Sequence, residues 1–65
     1  MLRDFEKGDL VQYNNPQVRA IGLVLNAKYC VKPDDFLIFI MWPDTGTTQA
    51  LLQNDCHTRG LRILD

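Results

Sequence analysis

The sequence is poor in the residues that usually carry chemistry. It has two cysteines, Cys30 and Cys56, and a single histidine, His57. Two thiols are too few for a disulfide framework, and they lack the CxxC spacing that brings two thiolates onto one metal. Cys30, Cys56 and His57 together would leave a zinc ion one ligand short, so no metal is expected. Gly8, Gly22, Gly46 and Gly60 are widely separated, which excludes a glycine-rich phosphate loop or dinucleotide fingerprint. Asp55-Cys56-His57 contains the residue types of an orienting acid, a nucleophile and a base. Adjacent residues on a turn diverge, however, and do not converge on one substrate atom. The expectation is a chain that is not an enzyme and holds no cofactor.

Charge of one sign is also lacking. Seven basic residues face eight acidic ones, for a formal net charge of −1. Duplex nucleic acid rewards clustered Lys and Arg through counterion release, and no basic run is present. The longest apolar run, Phe36 to Trp42, is far below the roughly 20 residues that span a bilayer. Leu2-Arg3-Asp4-Phe5-Glu6-Lys7 has no apolar stretch of signal-peptide type, so a cytoplasmic chain with free thiols is expected.

What is present is a single small domain, 1–65, opened by a short arm at 1–7. A chain of this size buries only about 60% of the surface its unfolded form exposes, and its core supplies roughly 3–5 kcal/mol. Oligomerisation is one common source of the missing support. Gly8-Asp9 reads as a turn, and Leu10 to Tyr13 as a first strand ended by Asn14-Asn15-Pro16. Arg19 to Ala27 reads as a second strand, because Gly22 at mid-segment costs about 1 kcal/mol in a helix, whereas in a strand it marks a bend or a close backbone approach. Lys28 to Asp34 reads as a loop. The run beginning at Asp35 is the central strand, and Pro43-Asp44-Thr45-Gly46 closes it as a hairpin whose glycine can take positive φ. Thr47 to Gln53 is its half-polar partner. Asn54 to Thr58 reads as one helical turn, and Leu61 to Leu64 as a last short strand.

These elements predict an all-β fold, a small five-stranded SH3-like barrel with one short helical turn before the last strand. Gly8-Asp9-Leu10-Val11, Ile21-Gly22-Leu23-Val24 and Ile38-Phe39-Ile40-Met41-Trp42-Pro43-Asp44 resemble the GD-x-V, G-x-V and V-x-V-x-W-x-D pattern of KOW and Tudor-like barrels. The pattern spans nearly the whole chain, yet it is made of turn glycines and core alternation, so it bears on fold more than on function. Among such barrels the chain looks most like short proteins encoded by tailed bacteriophages. That resemblance implies a role in a virion or virus-accessory assembly, in the host cytoplasm or the virion.

Strand parity sharpens the functional expectation. If Ile38, Ile40 and Trp42 point into the barrel, Leu37, Phe39 and Met41 point out. On the neighbouring strand Ile21, Leu23 and Leu25 take the same outward side. A contiguous apolar patch of this kind marks a contact surface. It is either a self-association or partner surface, or a second small core covered by the arm through Leu2 and Phe5. The first reading gives a non-enzymatic, self-associating interaction module, or one docking onto a larger assembly. The alternative is KOW-like binding of nucleic acid or nucleoprotein through the loops, with Tyr13, Arg19, Lys28, Tyr29 and Lys32 combining stacking with phosphate contacts. Asp34, Asp35 and Asp44 lie near the same loops and oppose it. Tyr13, Tyr29 and Trp42 are the only residues from which an aromatic cage could be drawn, and Trp42 reads more simply as a lid on the core.

Overall fold

The computed structural model describes residues 4–64. Five strands, β1 (Leu10–Tyr13), β2 (Ile21–Cys30), β3 (Asp35–Trp42), β4 (Thr47–Leu52) and β5 (Leu61–Leu64), form one antiparallel sheet in the order β4-β3-β2-β1-β5. A short helix, α1 (Gln53–Thr58), lies between β4 and β5. The all-β class, the five strands and the helix before the last of them are as the sequence predicts. Closure is looser than a barrel implies. The sheet ends at β4 and β5, which do not pair, and α1 packs against β3, β4 and β5 across the gap.

The inward alternation of β3 sets the core. Ile38, Ile40 and Trp42 are buried, and they meet Val11 of β1, Val24 of β2, Leu51 of β4, Cys56 of α1 and Leu61 of β5. Gly22 faces Ile40 and Trp42 so closely that a Cβ at this position would lie 2.6 Å from Ile40 Cγ2. The sequence leaves a bend or a close backbone approach open at this glycine; in the structure the close approach is made by the Ile40 and Trp42 side chains. Trp42 caps the core from the base of the hairpin. It stacks on Tyr13 at 5.6 Å and 8°, and its Nε1–H donates to Gln49 Oε1 at 3.2 Å. The hairpin closes as expected, with Gly46 at φ 68° and its N–H donating to the Trp42 carbonyl at 2.8 Å.

Three features depart from a regular reading of the strands. First, β2 begins at Ile21 and continues to Cys30, so Lys28, Tyr29 and Cys30 are strand residues and the loop shrinks to 31–34. The turn is made by the cis peptide between Lys32 and Pro33 and by Asp34 at φ 62°. Second, a bulge interrupts the β2–β3 ladder: Val24 pairs with Ile40, but Asn26 pairs with Phe39. Leu25 is the extra residue, and its insertion reverses the parity of everything after it. Ala27 thereby packs against the core and Tyr29 lies opposite Phe36. Third, Phe36 keeps the inward parity of β3 but sits 36% exposed, because the hairpin here runs past the end of the core. It meets Tyr29 edge-on at 5.5 Å.

The arm joins the core. Phe5 is 3% exposed and its ring lies 5.0 Å from that of His57. Gln53, at the start of α1, fixes this arrangement with both ends of its amide: Oε1 accepts the Phe5 N–H at 2.9 Å and Nε2 donates to Asp4 Oδ1 at 3.1 Å. The chain then turns through Gly8, whose N–H donates to the Val24 carbonyl beside the bulge. The expected role of Leu2 falls outside the described residues.

Candidate interaction surface

The pairing registers lay out the outward face of the sheet row by row. One row crosses all five strands, Leu64–Leu10–Leu23–Met41–Thr48. The next carries the bulge pair Leu25 and Asn26 against Phe39 and Ala50, and the one after that is Lys28–Leu37–Leu52. At the opposite end Ile21 stands beside Gln12, which pairs with Arg62. The sequence expectation that Ile21, Leu23, Leu25, Leu37, Phe39 and Met41 share one side holds in the structure. Leu10, Leu52 and Leu64 extend the same face and were not anticipated, because their strands are short and show no alternation strong enough to assign a side.

Exposure across this face is graded. Leu10, Ile21 and Leu25 are 47%, 46% and 40% exposed, whereas Leu23, Leu37, Phe39 and Met41 are half-buried by their cross-strand neighbours. An antiparallel sheet commonly places polar side chains on the side away from its core. Here the side away from the core is apolar over most of its rows, with Lys28 and Arg62 at opposite ends of it. Phe5 is committed to the interior, so it does not cover this face.

The residues expected to contact nucleic acid do not meet. Tyr13 and Arg19 line a cleft at the β1–β2 loop, whereas Lys28, Tyr29 and Lys32 belong to the far end of the β2–β3 hairpin. The Tyr29 hydroxyl donates to Asp34 Oδ1. That bond, with a smaller contribution from desolvation, holds the phenol above its ordinary pKa. An aromatic cage is likewise not formed: Tyr13 and Trp42 stack on one another with no gap between their rings, and Tyr29 is at the other end of β2.

Cys56 and His57, adjacent in sequence, have different surroundings in the structure. Cys56 is fully buried in the core, and its thiol is pushed up to about 11, mainly by desolvation and secondarily by the Asp55 carboxylate. A thiol held protonated is a poor nucleophile. The His57 ring packs on Phe5, and its backbone carbonyl accepts the Gly60 N–H at 3.0 Å. Among the described residues no group of three metal-ligating side chains forms, and no helix is long and apolar enough to cross a membrane. What the fold and surface define is a small all-β protein with an open five-stranded sheet that is apolar on both sides. No protein-family model, curated protein or solved structure matches the chain.

Proposed function

We propose that this protein is a non-enzymatic interaction module that associates with a second copy of itself through the outward face of its sheet. The observation that carries this reading is the unbroken apolar row Leu64–Leu10–Leu23–Met41, continued by Phe39, Leu37 and Leu52. A two-fold rotation would set this face against the same face of a second copy, the isologous arrangement usual in homodimers. Its charges sit at opposite ends of the face, Lys28 on one side and Arg62 on the other, so such a rotation can hold them outside the apolar centre. Burial of this face would also give a 65-residue chain the support that its own small core does not supply.

Size-exclusion chromatography with light scattering tests the reading. The expected result is a dimer or larger species at tens of micromolar, converted to monomer by Phe39→Asp and by Leu10→Glu while circular dichroism stays native. A strict monomer for the unmodified chain at that concentration would overturn it.

A further inference from the structure

We propose that the cleft between the β1–β2 loop and β5 is a binding site for a phosphoryl anion. The cleft has a volume of about 400 Å³, and two arginines are among the residues that line it, Arg19 from the loop and Arg62 from β5. No carboxylate lines it among the described residues, although the chain as a whole carries a net charge of −1. Two unopposed arginines in one concavity are therefore a local arrangement and do not follow from the composition.

Gln12 assembles the pair. Its backbone stands opposite Arg62 in the β1–β5 ladder, and its side-chain Nε2 donates to the Arg19 carbonyl at 3.2 Å, so one residue ties together the two arginine-bearing backbones. Asn15 adds a neutral donor. Its Oδ1 already accepts the Gln17 N–H at 3.0 Å, which leaves the NH₂ end free for a ligand in the cleft that it lines. Tyr13, whose ring stacks on Trp42, also borders the cleft. Guanidinium groups bind phosphate through paired N–H donors, and two of them with an amide suit the several oxygens of a phosphoryl group better than the two of a carboxylate. The ligand is a phosphate ester, either a free nucleotide or the backbone of a single-stranded nucleic acid. Tyr13 and Arg19 belong to this site, Arg62 is its second cation, and Lys28, Tyr29 and Lys32 stand outside it.

The test is a titration of ¹⁵N-labelled protein, at constant ionic strength set with chloride, using inorganic phosphate, a nucleoside 5′-monophosphate, a short oligothymidylate and the phosphate-free nucleoside. Saturable shifts confined to residues 12–19 and 60–63 are expected for at least one phosphorylated probe and not for the nucleoside. Saturation by phosphate or the monophosphate identifies a small-ligand site, and saturation by the oligonucleotide alone identifies a polynucleotide one. R19Q and R62Q should each weaken binding by about tenfold or more, whereas K28Q and K32Q should leave it unchanged. Shifts that never saturate, that spread equally to Lys28 and Lys32, or that survive R62Q would overturn the proposal. R62Q and K28Q lie at the two ends of the outward face, so light scattering is run on each variant at the titration concentration, and R19Q, in the β1–β2 loop outside the sheet, separates loss of anion binding from any change in self-association.

Discussion

Gly22 lies against Ile40 with no room for a side chain: a Cβ added to it would come within 2.6 Å of Ile40 Cγ2 and 3.0 Å of two Trp42 ring atoms. Both neighbours are core residues pinned by β3, so neither can swing away into solvent. Gly22→Ala should destabilise the fold by about 1–3 kcal/mol, read from urea unfolding. Because Cγ2 is the atom in the way, Gly22→Ala combined with Ile40→Ala should cost less than the sum of the two single changes. Additive costs would show that the clash does not set the identity of residue 22.

Gln53 ties the arm to the helix, and its removal separates packing from anchoring. Gln53→Ala leaves the part-buried Phe5 N–H without its acceptor and should cost about 1–3 kcal/mol. Gln53→Glu keeps an acceptor for Phe5 but places a carboxylate beside Asp4, so its cost should fall when Asp4→Asn is added. Hydrogen exchange at the Phe5 amide reports both effects. Unchanged protection in Gln53→Ala would mean that burial of the Phe5 ring holds the arm unaided.

The two thiols should differ in access. Cys30 is half-buried near the end of β2 and should react with a disulfide reagent in the native protein, whereas Cys56 should react only on unfolding. The same burial makes stability pH-dependent. The folded thiol at about 11 lies above its ordinary 9.0, so the unfolded chain loses this proton first as pH rises. The contribution is complete below pH 9 and is lost between 9 and about 11, on the order of 1 kcal/mol per pH unit. Cys56→Ala should remove that slope. Equal slopes in the two proteins would assign the alkaline loss to other groups.

The outward face gives a graded prediction. Substituting Ala50 by Arg, at the β4 end of the Phe39 row, should dissociate the oligomer without touching the core, because Ala50 is exposed on β4. Substituting Lys28 by Glu at the end of the face should shift the salt dependence of association and leave the folded state intact. Loss of native circular dichroism in Ala50→Arg would instead show that the face supports folding of the single chain.

Much of the fold is legible in local pattern. Ile38, Ile40 and Trp42 alternate with Leu37, Phe39 and Met41, and the turn chemistry of Pro43 to Gly46 fixes where that strand stops. The candidate face is legible to the same extent, because two-residue parity assigns sides wherever a strand is regular. It fails at Leu25, where one inserted residue shifts β2, turning Ala27 inward and extending the strand to Cys30. It also fails for Phe36, whose inward parity is correct but whose core has already ended. The start of α1 is a further case: the N–H of Asn54 is satisfied by Asp35 Oδ2 at 3.0 Å, a residue 19 positions earlier that no local capping pattern points to.

The sequence by itself determined the order and kind of the elements, the tight hairpin, a bend or close approach at Gly22 and the existence of an apolar outward side. These rest on φ/ψ preferences and on alternation between residues two apart, which neighbours in the chain impose. Only the tertiary structure decided that Phe5 enters the core through Gln53, that the bulge rephases β2, that the sheet stays open with α1 across the gap, and that Arg19 and Arg62 line one cleft. Each of those depends on which strand lies beside which and in what register. Pairing of that kind is set by long-range packing and hydrogen bonding, for which a stretch of sequence carries no local signal.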